Sequence, residues 1–489
     1  MIEVLVVGAG LAGLLLACEL RLAGVETVLL ERDPEPPGFC RGFNLNARAL
    51  DLLACRGLAK GFVSEGRQVP HAAFSGLPVT LNLPGARTSH PYSLGIPQTR
   101  VQEVLEEHAV KLGAEIRRGH RLDAFEQDSD EVTAIVSDGD TEYRIRALWL
   151  VGCDGGRSTV RKIAGIDFPG TKATRFSLLG DVELADPADL PFGVTSGVVV
   201  IPRPGYVRII TEDPRPPADK DTPVTLEILR NAVDTALGRH VELHSPRWLT
   251  RFGNAARQAV TYVKGRVMLA GDAAHIHPPA GAIGVNVALD DAFNLGWKLA
   301  AIVRGTASPH LLDSYQTERH AAGARVLANA QAQVLLGETD DRLADFLTRV
   351  AAHPDGNRAF AEVVTGLDTH YEMHSNSSHP WLGRLAPDLD LVTDAGSVRL
   401  TALLAAGRGV LLDLAGSVGE SAKEWADRVE IVRARSPDQP ELRAFLVRPD
   451  GHVAWLQAGD GPPDGLSDAL RHWYGPWDGS CEGDDSGGS

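Results

Sequence analysis

Residues 2–33 read IEVLVVGAGLAGLLLACELRLAGVETVLLERD, and this stretch predicts a strand, a glycine-rich turn, a helix and a second strand. Residues 2–7 form an apolar run of strand length, and residues 11–23 carry apolar side chains at helical spacing. Residues 28–30 form a second short apolar run, as expected for a buried strand. A strand–helix–strand unit of this kind predicts an α/β fold with a parallel sheet.

The turn carries the pattern G-x-G-x-x-G at Gly8, Gly10 and Gly13. The first glycine allows the tight turn, the second lets the backbone approach a pyrophosphate, and the third lets the helix pack closely on the strand. Glu31 ends the second strand at the distance expected for an acid that binds a ribose 2′-hydroxyl, which favours FAD or NAD. The loop cannot distinguish these two cofactors, and a glycine turn that serves only helix packing is the alternative.

The composition excludes several classes of function. A chain of 489 residues predicts two or three domains, and 44% hydrophobic with 23% charged residues is typical of a soluble globular protein. The net charge of −16 disfavours nucleic acid and anionic membranes as partners. No apolar run reaches membrane-spanning length and no signal-peptide pattern is present, so we expect a cytoplasmic protein.

The cysteines and histidines predict no metal site. The five cysteines form no C-x-x-C pair and no metal-ligand spacing, which is typical of free thiols in a reducing compartment. His275 and His277 form an H-x-H pair, but no third ligand stands near them in the sequence and two prolines follow at once. We therefore expect these histidines to shape their loop.

Three further motifs decide between the cofactors. They are RGFNLNARALDLL at residues 41–53, VGCDGGRSTVRKIAGI at 151–166 and GDAAHIHPPAGAIGVNVALDDAFNLGWKLA at 271–300. With the glycine loop, in this order, they resemble the aromatic-ring flavoprotein monooxygenases of the para-hydroxybenzoate hydroxylase type. Within that group the chain is most similar to the bacterial hydroxylases that tailor aromatic polyketides such as angucyclines and anthracyclines. The resemblance covers nearly the whole chain.

The resemblance implies a Rossmann-like FAD-binding domain, an inserted and mostly β substrate-binding domain, and a C-terminal thioredoxin-like domain. One helix is expected near residues 225–237 of the inserted domain, and residues 71–92 are expected to join its sheet. The C-terminal domain contains no C-x-x-C motif, so we expect it to be structural or to serve packing or dimerisation. The implied boundaries are 1–70, 97–169 and 265–375 for the FAD-binding domain, 71–96 and 170–264 for the substrate-binding domain, 385–476 for the thioredoxin-like domain and 477–489 for a disordered tail.

The resemblance implies a monooxygenase that uses FAD, NADPH or NADH, and O₂. In this family reduced flavin and O₂ form a C4a-hydroperoxide, which transfers one oxygen atom to an electron-rich aromatic ring. The flavin carries the reaction, so no catalytic side chain is assigned. The implied partner is a small aromatic polyketide, and the protein would be a monomer or a homodimer. Baeyer–Villiger oxygen insertion, hydroxylation that inactivates an antibiotic, and a flavin-binding auxiliary protein without turnover remain alternatives.

The matched motifs imply a set of FAD contacts. Asp154 would accept backbone N–H groups and order a loop near the pyrophosphates, and Asp272 would bind the ribityl chain. A helix cap formed by Ser158 or Asp154 is compatible with the role of Asp154. The alternatives are a plain turn or cap acid for Asp272, a surface side chain for Arg41 and a polar helix-start residue for Gln98. The implied contacts are Gly8, Gly10, Leu11, Ala12, Gly13, Glu31, Arg32, Arg41, Gln98, Leu122, Asp154, Gly155, Asp272, Gly284, Val285 and Asn286.

The inserted domain is expected to cover the reactive side of the flavin. Each of its polar and aromatic side chains could instead be sheet core or sheet surface, and no general base is assigned among them. The candidates for contact with the substrate are Tyr92, Tyr206, Arg208, Trp248 and Phe252.

The loop of the third motif departs from the family. Pro278 and Pro279 are expected to carry the backbone across the flavin ring, and the helix that follows, from about residue 287, would direct its positive end at the ring. Relatives usually have Gly-Gly-Gln-Gly and then Leu-Asn, whereas this chain has Gly281-Ala282-Ile283-Gly284 and then Val285-Asn286. FAD binding is expected to survive, while flavin mobility, substrate placement or the outcome of oxygen transfer are expected to differ.

Overall fold

The structure is a computed structural model, and it describes residues 1–217, 222–336, 341–373, 375 and 377–476. The predicted tail at 477–489 lies outside these residues. In the first part of the chain the elements are β1 (Ile2–Val7), α1 (Leu11–Leu22), β2 (Thr27–Glu31), β3 (Asn44–Leu45), α2 (Ala47–Ala54), α3 (Ala59–Glu65), β4 (Arg67–Val69), β5 (His71–Ala73), β6 (Thr80–Asn82), β7 (Ser93–Gly95), α4 (Gln98–Lys111), β8 (Glu115–Arg118), β9 (Arg121–Gln127), β10 (Val132–Ser137), β11 (Glu142–Gly152) and α5 (Thr159–Ile163).

The remaining elements complete three further stretches of the chain. The middle stretch contains β12 (Gly170–Thr171), β13 (Phe176–Leu184), β14 (Gly193–Thr195), β15 (Val198–Arg203), β16 (Tyr206–Glu212), α6 (Leu226–Leu237), β17 (Leu243–Gly253), β18 (Ala256–Gln258) and β19 (Val263–Lys264). The next contains β20 (Val267–Leu269), β21 (His275–Ile276), α7 (Gly284–Val303), α8 (Leu311–Leu336), α9 (Asp341–Ala352) and α10 (Pro354–Thr365). The last contains β22 (Asp390–Thr393), β23 (Gly396–Arg399), α11 (Leu400–Leu403), β24 (Gly409–Asp413), β25 (Val429–Arg433), β26 (Leu442–Val447), β27 (Val453–Ala458) and α12 (Leu466–Tyr474).

The parallel core of the largest sheet confirms the α/β fold. Strands β20, β11, β1, β2 and β8 are neighbours in this order and run parallel. Leu5, Leu14 and Leu289 are fully buried in one hydrophobic cluster that joins the sheet to α1 and α7. Because the strands are parallel, the carboxyl ends of β1, β2, β11 and β20 meet at one edge of the sheet. The glycine loop, Asp154 and the loop after β20 follow the ends of β1, β11 and β20, and Glu31 is the last residue of β2.

The middle stretch of the chain forms a second sheet. Its order is β14-β15-β16-β13-β17, all antiparallel, and α6 covers one face through buried residues such as Leu229 and Val233. This helix corresponds to the one predicted near residues 225–237.

The expectation that residues 71–92 join the second sheet is wrong. Strands β5 and β6 pair only with each other within the described chain, and β7 pairs with β3 and β4. The apolar side chains around this hairpin pack on α10, where Leu81 and Ala361 are fully buried in the same small cluster. The hairpin therefore buries its apolar face against a helix, so it does not need an edge of the second sheet.

The C-terminal stretch forms a mixed four-stranded sheet in the order β25-β24-β26-β27. One face packs with α12 against the end of α7, where Trp297, Trp455 and Trp473 share a buried cluster. The other face packs on residues before β24, including Leu391 and Leu400. The thioredoxin-like classification of this stretch stays a prediction. None of the helices in the described ranges is long and apolar enough to cross a membrane, and no described cluster of His, Cys, Asp and Glu could hold a metal ion.

Candidate functional site

The glycine loop has the geometry that its three glycines predict. Gly8 has a φ of 106°, and a Cβ there would overlap the carbonyl oxygen of Cys153 on the neighbouring strand end. A Cβ on Gly13 would overlap the carbonyl oxygen of Gly8. A Cβ on Gly10 would meet nothing within 4 Å. Two glycines thus close the turn and pack α1, while Gly10 faces open space at the start of that helix.

The open space belongs to a large cavity at the carboxyl edge of the parallel sheet. Its volume is about 1540 Å³. Among the described residues that line it, nine are Lys or Arg and four are Asp or Glu, although the whole chain carries a charge of −16. The predicted cofactor contacts that line it are Gly8, Gly10, Glu31, Arg32, Arg41, Gln98, Leu122, Asp154 and Gly155.

Glu31 lies between the glycine loop and the loop after β2. One carboxylate oxygen accepts the backbone N–H of Ala9 at 2.8 Å, and the other accepts that of Asp33 at 3.0 Å. The neighbouring Arg32 is exposed and lies 3.8 Å from Asp33. Glu31 therefore sets the shape of the glycine loop while its side chain lines the cavity.

Asp154 caps the start of α5 and orders the loop after β11. Its carboxylate accepts the hydroxyl of Ser158 at 2.5 Å and the backbone N–H groups of Thr159 and Val160 at 2.6 and 3.1 Å. Two N–H groups at the start of α5 are thereby satisfied, and one of them belongs to Thr159, which lines the cavity. Arg161 ties this loop to the next one, since it donates to the carbonyl oxygens of Gly156 and Ala273 at 2.9 and 2.7 Å.

The motif at residues 41–53, Gln98 and the start of α7 meet at Gly42. The Gln98 N–H donates to the Gly42 carbonyl oxygen at 2.9 Å, and a Cβ on Gly42 would lie 3.2 Å from Gln98 Oε1 and 3.6 Å from Val285. Asn286 accepts the backbone N–H of Asn46 at 2.8 Å, which fixes the start of α7 to the same segment. Three predicted contacts that are far apart in the sequence, namely Arg41, Gln98 and Val285, therefore surround one turn.

The loop from Gly271 to Gly284 connects the sheet to α7. Gly271 and Gly281 both have left-handed φ angles, 62° and 72°. Asp272 is exposed, Pro278 is buried, Pro279 is exposed, and the side chain of Ile283 is 4% exposed. A short 3-10 turn at Ala280–Ala282 precedes α7, which begins at Gly284, three residues before the predicted start.

His277 has a defined tautomer within this loop. Its Nδ1 lies 2.7 Å from the carbonyl oxygen of Pro278, so Nδ1 carries the proton and Nε2 is left as an acceptor. Burial lowers the pKa of His277 below its ordinary value, which keeps the ring neutral. A Cβ on Gly284 would lie 3.4 Å from Nε2, so the ring packs on the first turn of α7.

A second cavity of about 350 Å³ adjoins the first. His277, Phe252 and Arg251 line only the second cavity, and Arg251 pairs with Asp213 at 2.6 Å. The residues that line both cavities are Arg157, Ala173, Phe176, Ala255 and Ile276. An apolar pocket thus opens from the larger cavity between β17 and the loop that carries His277.

Phe252 is the only substrate candidate that lines either of these two cavities. Tyr92 lies edge-on to His90 and packs on the main core, and Tyr206 lies beneath the guanidinium of Arg247. Trp248 stacks on Phe39, with ring centroids 4.6 Å apart, and Phe39 lines the larger cavity.

Arg208, the remaining candidate, binds the backbone at Cys40 and Arg41, where the motif at residues 41–53 begins. Its guanidinium forms two 2.8 Å hydrogen bonds with Asp181, donates to the Arg41 carbonyl oxygen at 3.0 Å and also donates to the Cys40 carbonyl oxygen. Asp181 was not among the residues predicted from the sequence. Its signal is an acid between apolar neighbours in the middle of the strand FSLLGDVEL.

Comparisons with known proteins agree with this geometry. Residues 1–330 match the FAD binding domain family, and residues 379–476 match the family described as aromatic-ring hydroxylase, C-terminal. The chain belongs to the FAD-dependent aromatic-ring hydroxylases. A 12-dehydrotetracycline 5-monooxygenase/anhydrotetracycline 6-monooxygenase of Streptomyces rimosus is 42% identical to it, over 97% of this chain and 99% of that protein.

Two solved structures share the fold over almost the full length. The OxyS anhydrotetracycline hydroxylase of Streptomyces rimosus superposes with a TM-score of 0.91 at 42% identity, over 98% of this chain and all of that one. The Diels-Alderase PyrE3 from the biosynthesis of pyrroindomycins superposes with a TM-score of 0.85 at 37% identity, over 97% of this chain and all of that one.

As a member of the aromatic-ring hydroxylases, the chain is an FAD-dependent monooxygenase. The residues present fit FAD. Gly10 leaves room beside the N-terminus of α1, Glu31 ends the strand beside it, and the excess of basic side chains suits an anionic pyrophosphate. The roles of single residues in holding FAD stay predictions.

Proposed function

We propose that this chain inserts one oxygen atom from O₂ into a polycyclic aromatic polyketide, with FAD as cofactor and NADPH or NADH as reductant. The observation that carries the proposal is the pocket lined by Phe176, Phe252 and His277, which opens directly from the cofactor cavity. The similarity to proteins named as tetracycline monooxygenases supports the polyketide class. FAD, when bound, supplies hydride acceptance and oxygen activation.

The protein contributes position and electrostatics. Asp272 would hold the ribityl chain, and Gln98 would contact the flavin side of FAD next to Arg41. The first N–H groups of α7, at Gly284 and Val285, would stabilise the negative charge that the flavin ring gains on reduction, because they form the positive end of a 20-residue helix.

The smaller cavity would hold the substrate ring. Phe176 and Phe252 present aromatic surface, and a planar polyketide would stack or pack edge-on against them. His277 Nε2 is the acceptor that a phenolic hydroxyl would meet there, because Nδ1 is occupied by Pro278. A phenol that donates a hydrogen bond gains electron density on its ring, which favours attack on an electrophilic oxygen.

Arg208 and Trp248 would act one layer behind the substrate. Arg208 and Trp248 join the second sheet to residues 39–41, which lie beside the cofactor cavity. They would set the distance between the substrate cavity and the flavin without touching the substrate.

Mass spectrometry of products tests this proposal. The purified protein is expected to be yellow, to consume NADPH or NADH faster with substrate than without, and to add one ¹⁸O atom from ¹⁸O₂. The probes are anhydrotetracycline and a panel of angucycline and anthracycline aglycones. An added oxygen on an intact ring system supports hydroxylation, and an added oxygen within a lactone supports Baeyer–Villiger insertion. A colourless protein that does not bind added FAD contradicts the proposal.

The second candidate is a protein that binds flavin and a polycyclic ligand without oxygen transfer. The observation that favours it is the similarity to a structure named as a Diels-Alderase, together with the buried Ile283 in place of the usual glutamine. A yellow protein that neither nicotinamide cofactor reduces, with or without the aglycone panel, would favour this candidate over the first.

A further inference from the structure

A continuous line of buried side chains connects the C-terminal sheet to the loop Gly271–Gly284. We name it the ionic chain. All of its members are at most 5% exposed, and each contacts the next. In order of contact it consists of His452, Arg48, Asp290, Arg319 and Asp291.

The ionic chain begins with His452, in the turn before β27. His452 Nε2 lies 3.0 Å from Arg48 Nη2, and because arginine can only donate, His452 is neutral and accepts this hydrogen bond. Burial lowers the pKa of His452, in agreement with a neutral ring. Its Nδ1 lies 3.1 Å from Asp450. Arg48, on α2, in turn donates two 3.0 Å hydrogen bonds to Asp290.

The ionic chain ends at the backbone of the loop. Arg319, on α8, contacts Asp290 at 2.7 Å and Asp291 at 2.7 Å. Asp291 accepts the N–H of Gly271 at 2.9 Å and lies 2.7 Å from His275 Nε2. The Asp291 carboxylate therefore holds the loop at Gly271, next to Asp272, and also at the side chain of His275.

In the ionic chain, a displacement of one side chain is expected to displace its neighbours. Each charge lies in a medium of low polarity and keeps a partner only in one arrangement, so a shifted member forces its neighbours to shift or to lose a hydrogen bond. Asp290 and Asp291 are also part of α7, the helix that the loop leads into. The ionic chain thus links His452 to Gly271 at the start of the loop and to α7, which follows the end of the loop.

We propose that His452 is a positioning residue for the FAD site and acts through the ionic chain on the loop Gly271–Gly284. The proposal rests on the proposed role of this loop in FAD binding. The C-terminal sheet, which lacks a C-x-x-C motif, would thereby help to position the FAD site at the edge of the parallel sheet. Sequence separation hides the link, because Arg48 and His452 are 404 residues apart.

The test compares three variants of the full-length protein. His452→Leu removes the acceptor but leaves Arg48 paired with Asp290, so the protein is expected to fold. Amide hydrogen exchange over residues 270–290 of the apoprotein is expected to speed up roughly 3- to 30-fold, and the Kd of FAD to rise by a similar factor. His452→Gln places an amide oxygen near the position of Nε2 and is expected to restore both values.

Val453→Ala is the matched control, because Val453 is fully buried in the same sheet and its side chain is no part of the ionic chain. It is expected to destabilise the sheet without changing exchange over residues 270–290. Unchanged exchange in His452→Leu, or the same change in Val453→Ala, overturns the proposal. If the wild-type protein does not bind FAD, the proposed function fails, and exchange in the apoprotein still decides whether the coupling exists.

Discussion

Asp291 accepts the backbone N–H of Gly271 at 2.9 Å, so a helix carboxylate holds the start of the loop that leads into its own helix. The other carboxylate oxygen takes the Nε–H of Arg319 at 2.7 Å, and Asp291 is fully buried. This one side chain therefore joins the sheet edge, the proposed flavin loop and the helix behind it.

Replacing Asp291 is expected to destabilise the whole protein. Asp291→Asn leaves the buried charge of Arg319 with one carboxylate fewer, which typically costs about 3–5 kcal/mol. Urea denaturation measures the loss in the free energy of unfolding. Asp355→Asn removes an exposed ion pair with Arg358 and is expected to leave stability almost unchanged. Equal losses in both variants would contradict the structural role of Asp291.

The buried carboxylates also predict how stability depends on pH. Burial is the largest single effect on Asp291 and Glu318, and it opposes their ionisation. Arg319 and His275 together outweigh it for Asp291, so the pKa of Asp291 is lowered to about 2. Arg448 and Lys298 together outweigh it for Glu318, so the pKa of Glu318 is also lowered to about 2. Unfolded chains take up these protons at pH near 4, so the unfolding free energy is expected to fall progressively from about pH 5 towards pH 2. Thermal unfolding at a series of pH values measures this, and Asp291→Asn is expected to flatten the dependence.

Gly8 and Gly10, two of the three glycines in the first loop, are expected to respond differently to alanine. Gly8→Ala places a Cβ against the carbonyl oxygen of Cys153 at a φ of 106°, and a loss of several kcal/mol in stability is expected. Gly10→Ala meets no neighbour, so its melting temperature without FAD should match that of the wild type. Its affinity for FAD is expected to fall, because the added methyl group enters the space beside α1. Normal FAD binding by Gly10→Ala would argue against a pyrophosphate at that position.

Replacing Phe252 is expected to weaken substrate binding without changing FAD binding. Phe252→Ala enlarges the smaller cavity and removes aromatic contact, so KM for an accepted polyketide should rise roughly tenfold while the Kd of FAD stays constant. Steady-state kinetics and a fluorescence titration with FAD separate the two effects. Tyr206→Phe serves as the control, since Tyr206 lines neither cavity and keeps its ring beneath Arg247.

The Ala282-Ile283 pair is expected to control how NAD(P)H consumption is coupled to product. The double variant Ala282→Gly/Ile283→Gln restores the usual family residues and should still bind FAD, because Asn286 keeps its hydrogen bond to Asn46. The ratio of product to hydrogen peroxide is expected to change, with a small loss of stability because a buried apolar side chain is replaced. Identical reduction rate, coupling and product in both proteins would remove this hypothesis.

Local patterns predicted much of the fold. The glycine loop, the first helix, the helix of the middle stretch and the strands that precede Asp154 and Gly271 all lie where apolar periodicity placed them, because each depends on neighbours in the chain. The pairing of residues 71–92 was predicted wrongly for the opposite reason. A short strand with one apolar face can pair with several sheets, and only the position of α10 selects the arrangement.

The sequence by itself determined the family, the parallel sheet and the motifs that end its strands, since spacing and residue type carry that information along the chain. Only the tertiary structure decided which side chains meet. It placed Phe252 in a cavity, turned Arg208 towards the backbone at Cys40 and Arg41, and brought His452 to Arg48. Contacts of this kind depend on packing between segments hundreds of residues apart, and buried charges find partners only after the surrounding elements have enclosed them.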